Sequence, residues 1–335
     1  MTSSKQILSF TALFFLFLLL RFWGVQFGLP YDGIHPTEHF TVAHAIHYVE
    51  TGSWKPFDFQ HPTLLQYLIT IIASIFRIPP AEYQYYYLIG RIISVLSSWG
   101  TLFLLYFFSR NLFDSRFWGL VSASVMGVSL VAVQYAHYAV PDSLSVFFLM
   151  GSIFLAQRAL DRPSLSRYLG CGILCGCAIG SKFTGLLSVV FLCTAWMLAF
   201  SQKQRFRGLK LLGGLGVAFG VFTVLSPYHV RFGAEFIRDA AYYLAQKGYI
   251  GDFRLVSSGY WVYPFILIPG ILGIIGFTCA VVGTGVLLKR YGRMGWLICI
   301  PYGLFYVCVG KEKGATLQNV LPLLPLFSCA ISACL

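Results

Sequence analysis

Three short stretches place ionisable side chains where an otherwise apolar chain can do chemistry. The first reads Tyr31-Asp32-Gly33-Ile34-His35-Pro36-Thr37-Glu38-His39-Phe40. Pro36 suits the first turn of a helix, and the pattern carries that helix to about Thr51, before Gly52-Ser53. Glu38 then falls in the first turn, where the helix dipole favours a carboxylate whether or not it has a further task. The second stretch is Gln134-Tyr135-Ala136-His137-Tyr138-Ala139-Val140-Pro141-Asp142, closing one apolar segment and opening the next. An acid at the mouth of a membrane bundle is costly unless paired or hydrated, which points to function; Asp142 also suits an N-cap of the following helix. The third is Gly180-Ser181-Lys182-Phe183-Thr184. A cation at this turn suits an anionic head group or a departing phosphate, or it snorkels to the interface. Arg91, in Leu88-Ile89-Gly90-Arg91, has the same two readings.

His35, His39, His44 and His47 cluster around the first predicted helix. Such clustering permits a divalent metal with Glu38 or Asp32, while hydrogen-bonding interfacial histidines are commoner. Tyr228, in Ser226-Pro227-Tyr228-His229, ends another segment on the same side. Carboxylates, cations and aromatics therefore converge on one membrane face. That set suits transfer chemistry on a lipid-phosphate substrate: a carboxylate takes the proton from an acceptor hydroxyl, and fixed cations stabilise the charge growing on the phosphate. Glu38, Asp142 and Asp32 are the candidate catalytic carboxylates. Lys182, Arg91 and His137 are the candidate phosphate ligands, and His35, His39, Tyr138 and Tyr228 line the site.

The elements that must position these residues are membrane helices. Of 335 residues, 57% are hydrophobic and only 11% charged, and the mean hydropathy is +0.73. A soluble domain carries about 25% charged residues, so soluble, disordered and disulfide-scaffold classes are excluded. The net charge of +12 reads as membrane orientation, not nucleic-acid binding. Apolar stretches near 7–27, 88–108, 117–136, 143–160, 168–181, 184–200, 208–227, 260–288, 294–310 and 318–335 predict an all-α, polytopic bundle of about ten spans. The first reads as an uncleaved signal anchor. The stretch 62–78 decides the orientation. If it lies in the interface and the N-terminus is inside, the short inside loops hold Arg110, Arg116, Arg158, Arg162, Arg167, Lys203, Arg205, Arg207, Lys210, Lys289, Arg290 and Arg293, as positive residues prefer. All 7 histidines then lie outside. The chain thus reads as one domain over 1–335, with an external loop at 28–87 carrying interfacial helices near 36–51 and 62–78. The nine cysteines lie in apolar stretches and read as packing residues.

The series resembles the GT-C superfamily of integral-membrane glycosyltransferases, in the branch of the dolichyl-phosphate-mannose protein mannosyltransferases and the aminoarabinose transferases. The matching pieces are His35-Pro36-Thr37-Glu38, Gln60-His61-Pro62-Thr63-Leu64-Leu65-Gln66-Tyr67, Ile89-Gly90-Arg91, His137-Tyr138-Ala139 through Asp142, Ser181-Lys182-Phe183-Thr184 and Val320-Leu321-Pro322-Leu323-Leu324-Pro325. The resemblance implies a polyprenyl-phosphate-linked sugar donor, inversion at the sugar, a lipid, glycan or protein acceptor, and a site facing the periplasm or lumen. It also implies that the first-loop acid and the acid before the fourth span do the chemistry. A bacterial inner membrane is the expected location.

Two departures stand out. The family's first-loop Asp-Glu is Thr37-Glu38 here, and Thr is no general base at neutral pH, so Glu38 or Asp32 must serve or the protein is silent. Family members also run longer, whereas this chain stops at Leu335 inside an apolar stretch, as a truncated product would. A lipid-linked sugar transporter is the alternative, and ionisable groups deep in several spans would mark it. Arg21 is the clear mid-span charge.

Overall fold

A computed structural model describes residues 3–31, 35–199, 207–246, 259–311 and 316–335. Every regular element among them is helical, as a bilayer demands, because backbone groups that cannot reach water must pair within their own segment. Helix α1 (Ser3–Phe22) leads to α2 (Pro36–Thr51) and α3 (Leu64–Ile75), which precede the long α4 (Tyr83–Phe113). Next come α5 (Arg116–Gly127), α6 (Leu130–Ala136), α7 (Pro141–Asp161), α8 (Leu165–Ser181) and α9 (Leu187–Leu198). The remainder comprises α10 (Arg207–Leu225), α11 (Pro227–Arg231), α12 (Gly233–Gln246), α13 (Gly259–Val262), α14 (Ile268–Arg290), α15 (Gly292–Val309) and α16 (Leu324–Cys334).

Each of the ten predicted apolar stretches holds a helix, but among the described residues fewer than ten are full spans by length and composition. Six helices among the described residues are long and apolar enough to cross a membrane: α4, α7, Gly208–Leu225, Gly259–Arg290, α15 and Leu317–Cys334. The pair α5 and α6, bent by 64°, makes a seventh, broken span. Leu165–Ser181 and Phe183–Leu198 are shorter. Both are short because the chain breaks between them, Lys182 being fully extended at φ −153°, ψ 142°. The protein is a multi-pass integral membrane protein.

Small residues set the spacing of the bundle. A β-carbon on Gly172 would lie 2.2 Å from the Gly214 carbonyl oxygen, so α8 and α10 touch backbone to backbone. On α4, a β-carbon on Gly90 would sit 2.5 Å from that of Ala139, so the α6–α7 connection rests directly on the helix. Where α5 breaks from α6, the guanidinium of buried Arg21 caps the end, donating from Nη1 to the Gly127 carbonyl at 3.0 Å and from Nε to Ser98 Oγ at 2.9 Å. That break aims the chain toward Asp142. A separate apolar cluster, including Val42, Leu65, Ile69, Tyr86, Ala139 and Leu144, binds α2 and α3 to α4 and α7.

Candidate active site

The sequence-predicted residues assemble into two ion-pair centres joined by residues 137–142. The first is built on α2 and α4. Pro36 starts α2 and Gly52 ends it in the left-handed region at φ 66°, leaving Glu38 in the first turn and pointing inward, 1% exposed. Its carboxylate receives both arms of Arg91: Nε donates to Oε1 at 2.7 Å and Nη2 to Oε2 at 3.1 Å. The Ala139 N–H donates to the same Oε1 at 2.8 Å. Arg91 Nη1 spans the carbonyls of Val25 and Phe27 at 2.9 and 2.8 Å, and its guanidinium lies 4.7 Å from the Phe27 ring centre. Glu38 thus ties α2, α4, the segment after α1 and the α6–α7 connection together. Both of its oxygens are engaged.

The second centre is built on α7 and the α8–α9 break. Asp142 does not cap α7; Val140 occupies that position and Pro141 begins the helix. The Asp142 carboxylate, 3% exposed, receives Lys182 Nζ on Oδ1 at 2.6 Å. Its other oxygen, Oδ2, is buried and takes no hydrogen bond among the described residues. Lys182 also donates to Gln318 Oε1 at 3.0 Å. The lysine opens into a cavity of about 290 Å³ lined also by Gln60, His61, Thr184, Phe236 and Asn319. Gln318 and Asn319 escaped the sequence reading. Their signal is position alone, two polar residues just before Val320-Leu321-Pro322.

The other candidates take supporting places. Both ring nitrogens of His137 face carbonyls, Nδ1 that of Val133 at 2.7 Å and Nε2 that of Trp23 at 2.8 Å, so it pins the connection and does not line the cavity. His35 packs on Tyr138 with ring centres 4.6 Å apart, and Tyr138 meets Phe27 at 5.8 Å; both flank the first centre. His39 Nδ1 lies 3.1 Å from the Tyr87 hydroxyl. Tyr228 stacks on Phe232 at 6.1 Å. Asp32 lies outside the described residues.

The histidine cluster does not converge. Among the described residues no group of three or more His, Cys, Asp or Glu side chains could hold a metal. His44 turns inward, donating from Nδ1 to the Phe40 carbonyl at 2.9 Å and stacking on Phe57 at 3.6 Å. Its Nε2 lies 4.0 Å from Asp58 Oδ2, and burial pulls its pKa down to about 4. His229 on α11, packed on Phe59 at 5.2 Å, is pulled to about 4 by the same cause, with the backbones of His61 and Phe59 opposing. Burial and then nearby Asp239 push the Asp58 carboxyl above its ordinary range, against the Gln60 N–H. Asp239 on α12 accepts from the Phe59 N–H at 3.3 Å. Residues 57–59 are therefore clamped by three helices beside the cavity.

The multi-pass helical fold that carries these two pairs is shared by known structures. The crystal structure of ArnT from Cupriavidus metallidurans bound to undecaprenyl phosphate matches with a TM-score of 0.67 at 15% identity, over 99% of this chain and 60% of that one. The archaeal oligosaccharyltransferase AglB from Archaeoglobus fulgidus, in complex with an inhibitory peptide and a dolichol-phosphate, matches with a TM-score of 0.65 at 11% identity, over 97% and 49%. In sequence, the undecaprenyl phosphate-alpha-4-amino-4-deoxy-L-arabinose arabinosyl transferase of Erwinia tasmaniensis is 27% identical over 195 residues, 56% of this chain and 34% of the relative. The chain thus spans about a third of that relative and half to three-fifths of the solved ones. The model of the dolichyl-phosphate-mannose-protein mannosyltransferase family matches residues 60–229, half of the chain, and the protein belongs to that family.

Proposed function

We propose that this protein is a membrane glycosyltransferase that moves a sugar from a polyprenyl-phosphate-linked donor to an acceptor, with its site on the periplasmic face of a bacterial inner membrane. The observation that carries this reading is Lys182, paired with buried Asp142 and lining the 290 Å³ cavity. The ArnT and AglB structures hold lipid phosphates in the same fold, which supports it. The acceptor hydroxyl attacks the anomeric carbon, the bond from that carbon to the phosphate oxygen breaks, and the phosphate leaves with the electron pair. Lys182 stabilises the departing charge. Asp142, whose Oδ2 takes no hydrogen bond among the described residues, is the carboxylate beside Lys182 that would receive the hydroxyl proton. Glu38 and Arg91, saturated by each other, hold the frame in which Asp142 sits.

A second reading, a lipid-phosphate-binding homologue without turnover, is favoured by Thr37 at the family's acid position and by the full engagement of Glu38. One experiment separates them. Purified protein in nanodiscs is given radiolabelled undecaprenyl-phosphate sugars, and loss of sugar from the lipid is followed. The transferase reading expects turnover that Asp142→Asn and Lys182→Met each lower by about 100-fold or more. Donor binding without turnover selects the silent homologue, and neither binding nor turnover overturns both.

A further inference from the structure

Lys182 is held from two sides, and the second side comes from the far end of the chain. An ammonium only donates, so it takes an oxygen from every partner. Asp142 supplies Oδ1 at 2.6 Å and Gln318 supplies Oε1 at 3.0 Å. Of three N–H groups, two are thereby aimed, and the third has no partner among the described residues and can serve the cavity that Lys182 lines. The amide oxygen of Gln318 is committed to the lysine, and its NH2 end has no acceptor among the described residues. Gln318 itself lines the same cavity.

The turn carrying Gln318 is braced on both flanks. Residues Leu317–Asn319 form a single 3₁₀ turn after extended Thr316. The hydroxyl of Tyr263 receives the Thr316 N–H at 3.3 Å and the Asn319 side-chain amide at 3.0 Å. Tyr263 is 1% exposed, so a buried phenol fixes the residues on either side of Gln318. A side chain serving only to fill space needs no such bracing.

Resting on the lipid-phosphate reading above, we propose that Gln318 is a positioning residue: it aims the Lys182 ammonium at the donor phosphate and, locked in that orientation, offers its own amide N–H groups to the same oxygens. A neutral acceptor is what this role requires. A second carboxylate on Lys182 would neutralise the cation and repel the phosphate, whereas the amide holds the lysine and leaves its charge for the ligand.

The test compares binding of undecaprenyl phosphate with binding of uncharged undecaprenol to the full chain in nanodiscs, since the preference for the phosphate isolates the polar clamp from the isoprenoid contacts. Gln318→Leu is expected to lower that preference about tenfold with undecaprenol binding unchanged, and Gln318→Glu to lower it further. In a Lys182→Met background, Gln318→Leu adds much less than it does alone, because the two act on one interaction. Tyr263→Phe, which removes one oxygen, lowers the preference about threefold and carries the test if a Gln318 variant fails to fold. Wild-type protein that shows no preference for the phosphate sinks the lipid-phosphate reading and this inference with it. A wild-type preference that Gln318→Leu and Tyr263→Phe both leave intact overturns the inference alone. So does an equal loss with both lipids, the mark of a structural role.

Discussion

Glu38 and Arg91 show how residue types that suggest catalysis also hold a fold together. A carboxylate in a first turn and an arginine opening a span were each legible, and so was the adjoining Gly90. Their mutual contact was not, because it depends on the α6–α7 connection lying against Gly90, a packing event between segments far apart in sequence. Removing one partner of a buried ion pair strands the other charge, at a cost of roughly 3–5 kcal/mol. Glu38→Gln is therefore expected to lower the thermal midpoint in detergent sharply, and replacing both partners, Glu38→Leu with Arg91→Met, to lower it less. Gly90→Ala, which drives a methyl into Ala139, is expected to cost about 1–3 kcal/mol. Were Glu38 the proton acceptor alone, the isosteric Glu38→Gln would abolish turnover at an unchanged midpoint. That outcome would refute the architectural role.

At the scale of elements, α2, α11 and α12 close around residues 57–59 through His44, His229 and Asp239. Burial holds both histidines near pKa 4 in the folded protein, against about 6.5 when unfolded. The unfolded chain then binds more protons between those values, so stability rises with pH across the window and is lost as pH falls from about 6.5 toward 4. Each histidine contributes up to about 3 kcal/mol in this way. Asp58, pushed upward by burial, acts in the opposite sense and offsets part of it. Thermal unfolding in detergent between pH 7.5 and 4.5 is expected to show a falling midpoint, flattened in His44→Phe and His229→Phe. A flat wild-type profile would refute the buried-neutral assignment. None of this was readable in the sequence, where the histidines around α2 permitted a metal but suited hydrogen bonding better. Spacing along α2 does not reveal that His44 faces inward onto Phe57 while His39 meets Tyr87.

At the scale of the whole molecule, hydropathy located the long apolar helices because lipid imposes one rule on all of them, and it passed over amphipathic α12. Span number was less legible. Hydropathy cannot tell a full crossing from a short helix buried by neighbours, and α8 is held by contacts such as Gly172 on Gly214. Orientation rests on the same physics of solvation. Positive residues gather at 110–116, 158–167, 203–210 and 289–293, while Glu38, Asp142 and Lys182 lie at connections of the opposite parity. The proposed external-face site expects these basic loops to be cytoplasmic and α2 to lie outside. Single cysteines at Ser53, before α3, and at Ser164, between α7 and α8, report on the two sides against the background labelling of the native chain. In intact cells a membrane-impermeant maleimide is expected to label Ser53→Cys, and to label Ser164→Cys only after permeabilisation. The reverse pattern would place the Lys182 cavity in the cytoplasm. It would also turn the basic loops outward against the positive-inside rule, and an external-face transferase would no longer fit this chain.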